Sequence, residues 1–180
     1  MLIFLFLFLF SCSSNELTVE NFNPDKPFSD VPWDTCGIEV GDYACDFVLQ
    51  DQDDTSWRLY SFYQKKQLIV LDVSAMWCPP CQEAARYAQV YQDNYPEIQW
   101  LTVLLQNLDR ETPTQTDLAL WSETFSLNEP VLASSSYFNY WYPIHAIPTF
   151  LLIDENMIIQ QVVIGFEPIF FALFIEANLE

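Results

Sequence analysis

The chain has 180 residues, 51% of them hydrophobic and 17% aromatic, enough apolar side chain for a buried core and too much for a disordered polymer. Its length suits one domain plus an appendage. Six basic residues stand against 25 acidic ones, a net charge of −19 that repels phosphate backbones, excludes nucleic acid as a partner and reads as a solubilising surface.

The chain opens on "MLIFLFLFLF", ten apolar residues, too short for a spanning helix and of the length of a secretory apolar core. The following "SCSSN" resembles a bacterial lipoprotein signal, cleaved before a Cys that is then lipidated. Leu9, Ser11 and Cys12 fit that pattern; Phe10 is bulky for it, and no Lys or Arg precedes the apolar run. The expectation is a signal peptide over 1–11, lipidation at Cys12, and a polar, Pro-containing tether over 12–35. The folded domain then spans 36–180, exported across a bacterial inner membrane and held at the membrane surface on the periplasmic face. An ordinary cleaved signal with Cys12 incidental is the alternative. Without Cys12 four cysteines remain, an even set in an exported chain: Cys78 with Cys81, and Cys36 with Cys45.

"DFVLQD" and "SWRLYSF" read as two short strands of a hairpin around "DQDDTS". Asp51, Asp53 and Asp54 lack the Gly and terminal Glu of a calcium loop, so a solvated turn is expected there. "QLIVLDVSA" (67–75) is a continuous, β-branched apolar run, a central strand covered on both faces. "PPCQEAARYAQVYQDNY" (79–95) has helical spacing, Pro79 suits its first turn, and Pro96 ends it. A second buried strand follows at 98–107, and a helix at 113–126 with Thr114 or Thr116 and Asp117 near its start. "PVLAS" reads as a short strand and "YFNYWY" as a helical turn. Strands at 148–154 and 157–165 are joined by "ENM", and an amphipathic helix closes the chain at 168–179. The order is hairpin, β, α, β, α, β, β, α: a βαβ unit and an antiparallel ββα unit, hence an α/β fold with a mixed sheet and helices on both faces.

"CPPC" beside a βαβ pattern reads as a redox motif. Cysteines at i and i+3 on a first helical turn bring their sulfurs within bonding range. The helix N-terminus stabilises a thiolate at the first sulfur, so Cys78 is expected to be the exposed nucleophile and Cys81 the buried resolving thiol. Asp72 interrupts an apolar strand. Burial would raise its pKa and let it exchange protons with Cys81.

"LDVSAMWCPPC" resembles the active-site strand and turn of thioredoxin-fold proteins, with Asp72, Trp77, Cys78, Pro80 and Cys81 on motif positions. "HAIPTFLLID" is similar to that family's cis-proline loop and places Ile147 and Pro148 beside the cysteines. "IGFEP" resembles a later Gly turn, at Gly165. The extra N-terminal β-hairpin looks like that of the redoxin branch, which includes exported, membrane-tethered TlpA-like reductases; the resemblance covers roughly residues 37–180. It implies a thiol–disulfide oxidoreductase in which Cys78 exchanges with protein disulfides or thiols and Cys81 resolves. Ile147 and Pro148 would present backbone to the substrate, Trp77 would cover the pair, and a membrane electron donor is an implied partner. No cofactor is implied. Cys78, Cys81 and His145 would make only three metal ligands, and His145 reads as a loop residue.

Two departures and two rivals remain. Several membrane-tethered relatives carry a Glu where Ala84 stands, and Glu83 is expected to face elsewhere. Cys36 and Cys45 read as a structural disulfide, with an accessory pair relaying electrons to Cys78 as the alternative. A thiol peroxidase would want Thr or Ser where Ala75 stands. The second rival is a non-enzymatic, lipid-anchored assembly protein, against which the intact CPPC and Asp72 argue.

Overall fold

The computed structural model describes residues 35–179; the expected signal peptide over 1–11, Cys12 and the expected tether up to residue 34 lie outside the described residues. Among the described residues, no helix is long and apolar enough to cross a membrane.

The described chain begins with β1 (Cys36–Gly37) and β2 (Tyr43–Ala44), a short parallel pair that the sequence did not suggest. The expected hairpin follows as β3 (Val48–Gln50) and β4 (Ser56–Arg58), antiparallel but shorter than the apolar runs. "LYSF" (59–62) leaves the ladder as a 3₁₀ turn that buries Leu59 and Tyr60. The turn itself is closed by Asp51. Its carboxylate accepts the backbone N–H groups of Asp53 and Thr55 and the indole N–H of Trp57.

β5 (Leu68–Ser74) is buried at every residue, as its unbroken apolar run requires. α1 (Pro79–Asn94) turns Ala84, Ala85 and Ala88 inward, and these small side chains let it lie close to the sheet. β6 (Ile98–Leu104) is likewise fully buried and ends three residues earlier than its apolar pattern suggests. α2 (Gln115–Phe125) starts at a capping box between Thr114 and Asp117 and stops at Ser126 in the left-handed region. β7 (Val131–Ala133) and α3 (Ser136–Trp141) follow, then a cis peptide at Ile147–Pro148. β8 (Thr149–Asp154) and β9 (Ile159–Ile164) form the closing hairpin. Met157 stands left-handed in its turn, at φ 66°, so β9 begins two residues later than expected. α4 (Pro168–Ala177) ends the fold.

The five-stranded sheet has the order β7-β6-β5-β8-β9, with β5, β6 and β7 parallel and β8 and β9 antiparallel to their neighbours. Two clusters cover its faces. One packs α1, α2 and α4 on Leu68, Val70, Trp100 and Phe150. The other packs the N-terminal segment and α3 on Ile69, Leu71, Val73 and Leu101. Helices thus lie on both faces, although α3 covers the second only with help from Phe47, Leu49, Leu59 and Tyr60.

Cys36 and Cys45 are disulfide-bonded, with Cα atoms 4.9 Å apart, in the second cluster. Backbone bonds from Gly41 to Ile159 and from Ala44 to Met157 bind the segment between them to the β8–β9 turn. Replacing both cysteines in Cys36→Ser/Cys45→Ser should lower the unfolding free energy by about 2–3 kcal/mol, the loop entropy that such a short bridge removes from the unfolded chain. Urea unfolding monitored by circular dichroism measures this, and an unchanged midpoint would show that the segment is held by its backbone bonds alone.

Candidate active site

β5 delivers the chain to the site and α1 carries it away. Cys78 is the N-cap of α1, and its Sγ accepts the backbone N–H of Cys81 at 3.3 Å. Pro79 and Pro80 fill the first two helical positions and have no N–H to give. A sulfur at a helix N-terminus would otherwise meet several free amides; here that of Cys81 is the one bonded to it. Cys78 and Cys81 are joined as a disulfide with Cα atoms 5.2 Å apart. Cys78 is the more accessible of the two, but the expected exposed nucleophile is corrected: it keeps only 3% of its surface, and Cys81 keeps none. Trp77 and Ile147 pack against the cluster that holds both sulfurs.

Asp72 lies in β5 between Phe150 of β8 and Thr102 of β6. Side chains alternate along a strand, and Leu68 and Val70 face α1, so Asp72 faces α1 as well. It is fully buried. Ser74 Oγ donates to one of its oxygens and Thr102 Oγ1 approaches the other at 3.4 Å. Trp100 Nε1 in turn donates to Thr102 Oγ1 at 3.1 Å. Burial raises the Asp72 pKa to about 7, against the lowering pull of the Ser74, Thr102 and Trp100 donors.

Trp77 is half-buried and held from two directions. Its indole N–H donates to Gln106 Oε1 at 2.9 Å, and the Arg110 guanidinium lies over its ring at 3.9 Å. The main chain joins the same two loops, because Met76 N–H donates to the Gln106 carbonyl at 3.0 Å. On the β8 side, the carbonyl oxygen of Ile147 lies 3.8 Å from Cys78 Sγ. Pro148 is buried behind it, and its carbonyl accepts the N–H of Gly165 at 2.8 Å. Gly165 stands at φ 83°, where a side chain would be strained.

The sequence-predicted residues therefore divide. Asp72, Trp77, Cys78, Cys81, Ile147 and Pro148 converge at one end of the sheet. Cys36 and Cys45 belong to the cluster on its opposite face. His145 is exposed in the loop before the cis peptide. Ala84 is buried, and Glu83 faces solvent beside Arg86 at 3.4 Å. Sequence reasoning missed Ser74, Thr102, Gln106 and Arg110. Ser74 was within reach, standing two residues after Asp72 and so on the same face of the strand. The others come from β6 and its loop, which only the sheet register brings alongside.

The chain is 26% identical over 129 residues to the thioredoxin-like protein YneN of Bacillus subtilis, a match covering 72% of this chain and 74% of that protein. It is 27% identical over 130 residues to the thiol-disulfide oxidoreductase ResA of Geobacillus kaustophilus, covering 71% of each. Among solved structures, a candidate thiol:disulfide interchange protein DsbE from Chlorobium tepidum superposes with a TM-score of 0.69 at 23% identity, over 80% of this chain and all of that one. The peroxidoxin BcpB of Mycobacterium tuberculosis superposes with a TM-score of 0.60 at 20% identity, over 79% of this chain and 96% of that one. The fold is thioredoxin-like. Residues 40–162, more than half of the whole, match the AhpC/TSA family model, and the chain belongs to the AhpC/TSA family.

Proposed function

We propose that this protein is a thiol–disulfide oxidoreductase working as an exported, membrane-anchored disulfide reductase through Cys78 and Cys81. One observation carries the reading: two cysteines bonded across the first turn of a helix, with a buried carboxylate of raised pKa on the strand beneath that helix. The names of YneN, ResA and the DsbE-type protein agree with it.

In the reducing direction the Cys78 thiolate attacks one sulfur of a protein disulfide, and the other sulfur leaves as a thiolate. Asp72, ionised at this stage, takes the proton of Cys81. The Cys81 sulfur then attacks Cys78 Sγ, the mixed disulfide breaks, and the second substrate sulfur leaves. Two electrons pass to the substrate and the protein is left as the disulfide seen here. A carboxyl with a pKa of about 7 can give and take a proton near neutral pH. Ile147 and Pro148 lie where an extended substrate segment would run past Cys78, and Trp77 covers the pair.

The reductase direction is supported by the two prolines. With two amides missing, the Cys78 thiolate is less stabilised, which disfavours the dithiol form and makes the pair less oxidising. Cycling then needs an electron supply, for which a membrane donor fits a chain tethered by a lipidated Cys12. Cys36–Cys45 acts as a structural staple in this reading, because the sheet stands between it and Cys78. The fold likeness to a peroxidoxin keeps peroxide reduction as a second reading, but buried Ala75 puts a methyl where that chemistry would want a hydroxyl.

Three outcomes are expected. Titrated in a thiol redox buffer, the Cys78–Cys81 pair should have a potential near about −270 mV. A value near about −120 mV would make the protein an oxidant, and rapid consumption of hydrogen peroxide by the reduced pair would favour the second reading. Cys81→Ala should accumulate a mixed disulfide between Cys78 and its substrates, released by reductant. An empty trap, with Cys78 still alkylatable, would favour the assembly-protein reading. Asp72→Asn should slow the Cys81 step about 100-fold and remove its inflection near pH 7.

The same variant has a stability signature of defined sign. The folded pKa of about 7 exceeds the ordinary 3.8, so the folded chain binds the proton more tightly, and stability falls as pH rises through that window. At about 1.4 kcal/mol per pKa unit, ionised Asp72 costs the oxidised fold on the order of 4 kcal/mol above pH 7. Oxidised Asp72→Asn should therefore be the more stable protein at pH 8, with the difference vanishing near pH 4. Equal denaturation midpoints at pH 8 would show that the carboxylate is not buried as described.

A further inference from the structure

Arg110 stands out in a chain with only six basic residues. Among the described residues, Arg58 is paired with Asp46, Arg86 with Glu83, and Lys65 and Lys66 precede β5 at the end of the sheet remote from Cys78. Arg110 alone of these lies against a neighbour of Cys78, its guanidinium 3.9 Å above the Trp77 ring. That placement is built. Asn107, nearly buried, accepts the N–H groups of Asp109 and Glu111 on its side-chain oxygen at 3.0 Å each, and its own N–H donates to the Glu111 carbonyl. Asn107 Nδ2 in turn reaches Asp117 of the α2 capping box at 3.4 Å. This turn holds Arg110 at φ 66°, a conformation an arginine adopts only when its surroundings impose it.

A guanidinium lying over an aromatic face keeps its N–H groups free at the edge, in the fork that fits a carboxylate. Arg110 makes no side-chain hydrogen bond or ion pair among the described residues. Asp109 and Glu111 flank it in sequence without pairing to it, and the chain as a whole is strongly acidic. Any attraction for an anion therefore acts at contact and not at long range.

We propose that Arg110 is a substrate-docking residue: it receives a carboxylate that the substrate polypeptide carries close to the cysteine exchanging with Cys78. This rests on the thiol–disulfide exchange reading and adds to it a preference for acidic residues beside the target disulfide.

The test uses short peptides closed by one disulfide, with a single Asp or Asn at each of four positions around one half-cystine. Second-order rate constants for oxidation of the reduced protein are measured for wild type, Arg110→Gln and Arg110→Lys. The Asp-to-Asn rate ratio is taken within each variant, so a general loss of rate or the background charge cancels. At one or more positions the ratio should fall about threefold from wild type to Arg110→Gln, the size of an exposed, well-oriented ion pair, with Arg110→Lys between them. Equal ratios in all three proteins at all four positions, at measurable rates, would overturn the docking role and leave the exchange reading standing. Wild type that exchanges with none of the peptides would remove the exchange reading itself, and the docking role with it.

Discussion

Asp72 is the fifth residue of a seven-residue strand that is paired on both edges and covered on both faces. A carboxylate there loses its hydration and cannot regain it by a small movement of the chain. The fold meets this cost in part with hydroxyls that the sheet register supplies, Ser74 from the same strand and Thr102 from the next, the latter itself steadied by Trp100. These donors moderate the rise in pKa without cancelling it. Fuller satisfaction would leave an ordinary ionised aspartate; none would leave a carboxyl neutral at every working pH. The partial solution is what places its proton near neutrality.

The same economy governs the sulfur. A helix N-terminus attracts anions through free amides and a dipole. Two prolines in the first turn keep the dipole and remove two of the amides, so the start of α1 is a weaker anion site than its geometry alone implies. The prolines also fix the backbone of the turn between the cysteines, so the sulfurs stay apposed without help from side-chain donors. The donors that remain each act on one group: Ser74 of β5 on Asp72, and the Cys81 amide in the first turn of α1 on Cys78.

Much of this was readable in one dimension because it depends on neighbours in sequence. The continuous apolar run of β5, the helix spacing of α1, the Thr114–Asp117 cap and the CPPC turn all follow from local periodicity and steric rules. The misreadings have local causes too. The apolar pattern of β9 runs on into Met157 because an apolar residue looks the same in a strand and in a left-handed turn, and Met157 is fully buried in that turn. "SWRLYSF" has the pattern of one strand, yet past Arg58 the chain curls to bury Leu59 and Tyr60. The expected exposure of Cys78 failed for a different reason. Its cover includes Ile147, which lies 69 residues away in sequence. Likewise, neither Gln106 nor Arg110 carries any local mark of belonging to Trp77.

Those distant contacts follow from the direction of the strands. β5 and β6 run parallel, so both finish at the same end of the sheet, and the loops after them, carrying Trp77 and the Gln106–Arg110 turn, emerge side by side. β8 runs antiparallel to β5, so it starts at that end, and the loop leading into it holds Ile147 and Pro148 beside the sulfur. β9 returns antiparallel again and finishes there, which is why Gly165 can close on the Pro148 carbonyl. With β8 parallel to β5, the cis-proline loop would lie at the opposite end of the sheet, beyond the reach of any side-chain adjustment. The change from parallel to antiparallel pairing between β5 and its two neighbours is therefore what assembles the site, and the sequence encodes it indirectly. Helix-bearing crossovers return the chain to the far end of the sheet before β6 and before β7, whereas the segment between β7 and β8, with the short α3, re-enters the sheet at the end where β7 stops, which sets β8 against β5.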